Sequence, residues 1–198
     1  MDSTKNIPDE ILGKSKQLQR LLISYNDFKH ASEVGHYFLE GDYYVDRVEW
    51  DEGDYYERRI IGEAMNCAMI VSYSRPFSGN DKTALFKIPD LPGRYVRQLD
   101  KNGRETHRSI LKDRNFIMAH SDSRAWDLNL QFIEVAKGKK ILLFDHEDTR
   151  APMSKENIET LISNCNLFMD SIIEARQSLE EELYKFFKKY QAGDNIDA

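Results

Sequence analysis

The sequence holds only two cysteines in 198 residues, Cys67 and Cys165, both inside apolar stretches. That scarcity excludes a small scaffold stapled by disulfides, and buried free thiols in a reducing compartment are expected. No Cys/His spacing of the zinc-site kind occurs. Long apolar runs are missing too. The longest candidate, 64–71, is broken by Asn66 and falls well short of the ~18 consecutive apolar residues that a membrane helix needs. The opening Met-Asp-Ser-Thr-Lys-Asn has neither a basic nor an apolar signal region, so the expected compartment is the cytoplasm, with no membrane partner. A phosphate-cradling glycine loop, a nucleophile elbow and a His-Glu-x-x-His zinc helix are all absent, and no metal or other cofactor is expected. The five prolines and ten glycines are unevenly placed. Pro76, Pro89, Pro92, Gly79, Gly93 and Gly103 crowd 76–103, which reads as one long loop, while much of the remainder is free to form helices.

What is present suits one globular domain over 1–198, with 40% hydrophobic and 11% aromatic residues to build a core. Ile11, Leu12, Ser15, Leu18, Leu22 and Tyr25 predict an amphipathic helix over ~9–26, with Pro8 at its start. Asp27 is placed to cap a second helix carrying Phe28, Ala31, Val34 and Phe38, ending at Gly41. Residues 42–52 fit a short helix or a strand equally. From Asp54 to Tyr73, apolar residues cover more than one face, which predicts a helix buried in the middle of a bundle. A helix is expected over ~104–119, with Ile110, Leu111, Arg114, Ile117 and Met118 on its more buried side. Trp126, Leu128, Leu130, Phe132 and Val135, then Lys137-Gly138 and Ile141–Phe144, predict a β-hairpin within 125–145. Ser154 is placed to cap a final helix. Its stripe of Leu161, Cys165, Phe168, Ile172, Ala175, Leu179, Leu183, Phe186 and Tyr190 runs ~50 Å. That exceeds what a small core covers and points to packing against a second chain. Residues 192–198 read as a frayed tail. The fold class is therefore mainly α: a helical bundle with one small hairpin before a long C-terminal helix.

The net charge of −6 does not advertise nucleic-acid binding in bulk. Its distribution is uneven. From Arg94 to Arg124 there are eight Lys/Arg against four Asp/Glu, a local net of +4. Such a segment either holds a phosphate locally or is a solvated face, and charge alone favours the second. Asp145-His146-Glu147-Asp148 reads as a solvated turn.

Within the basic segment stands Arg114-Asn115-Phe116-Ile117-Met118-Ala119-His120, followed by Asp122. An Arg, then a polar residue, then a His after five intervening residues resembles the motif of HEPN domains. The wider string with Asp122, and the earlier Tyr73-Ser74-Arg75-Pro76-Phe77, resemble the abortive-infection (AbiU-type) HEPN group in particular. The likeness spans residues ~10–190 in element order, and its sharp part is these two short motifs. The resemblance implies a metal-independent endoribonuclease of toxin or phage-defence type. Two chains of a homodimer would bring their Arg–His motifs together, with RNA as substrate and an antitoxin or defence-system protein as a further partner. By position, Arg114, Asn115 and His120 take the catalytic roles, and His107, Arg75 and Asp122 are candidates for holding substrate.

The chemistry suits those residue types. Cleaving RNA without a metal needs a base for the 2′-OH, an acid for the leaving oxygen and positive charge on the phosphorane. Histidine titrates near neutral pH, and arginine presents a planar fork of donors to a phosphate. On an ideal helix Arg114 and His120 stand about 120° apart, so they converge only if Arg114 reaches round, the helix unwinds, or two chains contribute. Bland alternatives stand beside each assignment. Arg114 would bridge two helices, His120 would be a helix C-terminal cation, His107 a surface or interface residue, and Arg75 the anchor of the long loop. At the level of the whole protein, the alternative to an enzyme is a non-catalytic dimeric module binding RNA, a nucleotide or a protein.

Overall fold

A computed structural model describes residues 8–44, 55–78, 88–118, 129–136, 139–145 and 152–192. The chain is mainly helical. In order come α1 (Asp9–Glu40), α2 (Tyr55–Ser74), a 3₁₀ turn (Arg75–Phe77), α3 (Arg94–Arg97), α4 (Lys101–Met118), β1 (Asn129–Ala136), β2 (Lys139–Asp145) and α5 (Lys155–Ala192). The two strands pair antiparallel from Asn129 opposite Asp145 to Ala136 opposite Lys139, with an irregularity between Glu134 and Ala136.

The first departure from expectation is at Asp27. It does not cap a second helix, because α1 runs unbroken through it for 32 residues. An aspartate inside a helix costs only a fraction of a kcal/mol in propensity. Here its carboxylate receives Arg75 Nη1 at 3.4 Å. Meanwhile Leu21, Ser24, Phe28, Ala31, Ser32, Gly35 and Phe38 keep one buried face continuous across the position. The helix starts on Pro8, whose carbonyl accepts the Ile11 and Leu12 amides at 3.0 and 3.1 Å. It ends in a Schellman-type closure, with Tyr43 N donating to Phe38 O at 3.1 Å. Asp42, not Gly41, takes the left-handed backbone, at φ 53°. Glycine serves Gly41 differently, since a Cβ there would meet the Tyr43 ring at 2.1 Å.

The continuity of α1 changes what the C-terminal stripe needs. Helices α1 and α5 lie antiparallel: Lys14 Nζ meets Glu182 Oε2 at 3.0 Å at one end, and Gly35 faces Ile162 at the other. At 1.5 Å per residue α1 is about 48 Å long, enough to cover most of α5. Leu161, Cys165, Phe168, Ile172, Leu179 and Leu183 are accordingly buried within the single chain. A second chain is not required to hide them.

Helix α2 is less buried than its composition predicts. It packs on α1 and α4 through Asn66, Met69, Ile70 and Tyr73, yet Ile60 is 45% exposed and Ala64 faces solvent. The expected loop over 76–103 is also partly regular. Its described portion holds the 3₁₀ turn, α3, and an α4 that begins at Lys101. Asp100 opens α4 by accepting Gly103 N on Oδ1 at 2.6 Å, and Ser154 Oγ caps α5 through Asn157 N at 3.3 Å. The expected Lys137-Gly138 turn and the tail past residue 192 lie outside the described residues. Among the described residues no helix is long and apolar enough to cross a membrane. Cys165 is buried and Cys67 half-buried, and they form no disulfide.

Candidate functional site

On α4, Gly103, Thr106, His107 and Ile110 form the buried face. Arg114 continues that face one turn further and is half-buried, while Asn115 is exposed beside it. Arg114 Nη1 donates to Asn115 Oδ1 at 3.2 Å. Two of the three candidate catalytic residues therefore meet in the last turn of α4. His120 and Asp122 lie outside the described residues.

His107 is not the surface or interface residue that the sequence suggests. It is 5% exposed and seven residues before Arg114, so about 10 Å down the helix from it. The ring sits edge-on to Phe77, with centroids 4.7 Å apart, and near Tyr73 and Phe168. Its Nδ1 lies 3.1 Å from the Tyr73 hydroxyl. Asn164 Nδ2 donates to that same hydroxyl at 3.3 Å and to Gly103 O at 3.0 Å. The Tyr73 hydroxyl thus bridges the Asn164 amide, from which it accepts, and the His107 ring. Burial, reinforced by the charge of Arg108, pulls the His107 pKa down to about 4. Burial likewise pushes the Tyr73 hydroxyl well above its usual value. Both groups are neutral at physiological pH, and the bridge between them is a hydrogen bond without charge.

This chain of polar groups joins three helices inside an aromatic shell. Tyr73 is on α2, His107 on α4 and Asn164 on α5, with Phe28 of α1 in contact with Tyr73, Phe77 and Phe168. Gly103 is small because Asn164 needs the space. A Cβ there would stand 2.6 Å from Asn164 Oδ1 and 3.0 Å from Asp100 Oδ1. Gly103→Ala is therefore expected to lower stability by about 1–3 kcal/mol, displacing both a cap and the buried amide. Thermal unfolding checks this, and an unchanged midpoint would show that Asn164 gives way without cost.

The Tyr73-Ser74-Arg75-Pro76-Phe77 segment is accounted for by packing. Tyr73 and Phe77 build the aromatic cluster, Pro76 is buried, and Pro76 O accepts Leu91 N at 2.7 Å. Arg75 is 62% exposed and pairs with Asp27 on α1, a carboxyl that burial pushes up and Arg75 pulls back down. The 88–89 backbone is held instead by Arg20, which is 4% exposed and donates to Pro89 O and Ile88 O. Arg20 and Asn164 are the residues that sequence reasoning missed. A charged or amide side chain at a buried helical position was the available signal, but neither could be placed on a buried face until the partner helix was known.

No family model, curated protein or solved structure matches this chain.

Proposed function

We propose that the protein is a metal-independent endoribonuclease of the HEPN kind, a helical bundle with its hairpin acting as a homodimer in a toxin or phage-defence setting. The observation that carries this is the Arg114–Asn115 pair at the end of α4, an arginine fork oriented by its neighbour's amide. In the proposed reaction His120 of one chain takes the 2′-OH proton, the 2′-oxygen attacks the adjacent phosphorus, and the P–O5′ bond breaks as the protonated His120 of the partner subunit gives its proton to the leaving 5′-oxygen, leaving a 2′,3′-cyclic phosphate. Arg114 balances the charge that grows on the phosphorane, and Asn115 keeps the guanidinium in place. His107 supports the helix from behind. Self-association is supported by Ile173, Tyr184 and Phe187, which lie exposed on one face of α5.

The test is cleavage of tRNA, rRNA and mRNA by purified protein in EDTA, beside Arg114→Ala and His120→Ala, with analysis of the new 3′ ends. Cyclic-phosphate ends that disappear in both variants, with a loss of at least ~10²-fold, are expected. Failure of folded, dimeric wild type to cleave any of these would point instead to a binding module for RNA, a nucleotide or a protein.

A further inference from the structure

The start of α4 and the first half of α5 flank a polar groove of about 650 Å³, a size that suits a small molecule. Two hydrogen bonds tie its walls together. Asn102 Nδ2 donates to Thr160 Oγ1 at 3.1 Å, and Ser171 Oγ donates to Gln98 Oε1 at 2.8 Å. Between these ties α5 rises about 16 Å. The groove is lined there by the carboxylates of Glu159, Asp100 and Asp170, together with Leu99 and Leu167. Leu167 keeps 38% of its surface exposed.

Carboxylates alone attract any cation, and Asn164 makes this groove more selective. The residue is 5% exposed, and its Nδ2 donates to Gly103 O and to the Tyr73 hydroxyl. Among the described residues its Oδ1 accepts no hydrogen bond. That oxygen and Asp100 Oδ1 lie 2.6 and 3.0 Å from the point where a side chain on Gly103 would begin. The glycine thus leaves a hollow at the groove wall on which two acceptor oxygens converge, one of them a buried amide oxygen lacking a donor. A buried acceptor without a donor is costly, and an N–H group placed there relieves it.

We infer that the groove between α4 and α5 binds a linear polyamine, with one ammonium group between Asn164 Oδ1 and Asp100 and others at Glu159 and Asp170. An alkylammonium brings three N–H donors, a positive charge and no acceptor, which is the complement of this set of oxygens. Its methylene chain runs over Leu99 and Leu167. A bare metal ion is a poorer match, because among the described residues no three acidic, His or Cys groups converge as ligands do. The groove lies at the opposite end of α4 from Arg114–Asn115, and its ligand does not depend on the ribonuclease reading.

Spermidine is titrated into the purified full chain by isothermal calorimetry at physiological ionic strength, where loose surface attraction is largely screened. Wild type is compared with Glu159→Gln/Asp170→Asn, and with Glu180→Gln/Glu181→Gln, which removes the same charge from α5 outside the groove. Circular dichroism checks that both keep their helix content. Wild type is expected to bind at a single site. The groove variant loses charge-assisted hydrogen bonds and is expected to bind at least ~10-fold more weakly, while the control stays within ~2-fold of wild type. Equal losses in the two variants overturn the site, because net charge alone would then explain the binding. So does wild type that takes up no spermidine. A lysine-rich peptide that binds more tightly than spermidine also overturns it, since the groove would then be a protein-docking surface.

Discussion

Replacing Phe168 by alanine is expected to remove about 3–5 kcal/mol of unfolding free energy. The ring is fully buried on α5, and its centroid lies 4.8 Å from Phe28, 5.5 Å from Phe77 and 6.1 Å from Tyr73. Those contacts come from α1, the 3₁₀ turn and α2, and His107 of α4 is 6.5 Å away. Truncation therefore opens a hole where four elements converge, and close-packed neighbours relax only partly into it. Domains are typically stable by about 5–15 kcal/mol, so the loss is a large share of the whole. Phe168→Leu, which keeps much of the volume, should cost roughly a third as much. Urea unfolding reads both as shifts of midpoint at a constant slope. A shift worth under ~1 kcal/mol for the alanine variant would mean that the cluster repacks, contrary to the expectation for a site with rings on every side.

The second large effect is acid loosening through His107. Its folded pKa, about 4, lies below the ordinary 6.5, so the unfolded chain takes up the proton first as pH falls. The stability that the neutral ring confers is thus complete above about pH 6.5 and is lost progressively down to about pH 4. Below that, both states carry the proton and this group adds no further slope. At 1.36 kcal/mol per unit, discounted for residual solvation of the ring, the loss is on the order of 2 kcal/mol. Asp27 works in the opposite sense, because burial raises its pKa and makes the folded state the better proton acceptor. The two are separated by His107→Gln, which cannot titrate and retains a polar group toward Tyr73. It should be less stable than wild type at pH 7, with the gap closing by pH 4.5. A gap that stays constant from pH 7 to pH 4.5 would show that the imidazole is not held neutral by burial.

These expectations separate what is local in the chain from what is not. Helix and cap positions are local. Pro8 and Ser154 stand where the first free amides of α1 and α5 need acceptors, so those ends can be read from a few residues, whereas Asp100, which opens α4, fell inside the expected loop. The periodic stripe from Leu161 to Leu183 likewise fixed the face that α5 buries, because apolar spacing of three and four is a property of one helix alone. Asp27 shows where local reasoning stops. Its propensity favours a cap, and the continuous helix exists because Arg75, 48 positions away, meets its carboxylate while Phe28 packs beneath it. His107 shows the same limit for the site. In sequence it is a polar residue one helical face away from solvent, and only the arrival of Tyr73 and Asn164 from two other helices makes it a buried neutral ring. The Arg114–Asn115 hydrogen bond was not foreseen, because successive residues on a helix stand about 100° apart and do not ordinarily face each other. What surrounds that pair was decided by the packing of α4 against α2 and α5, since burial and partner geometry are set by residues far apart in the chain.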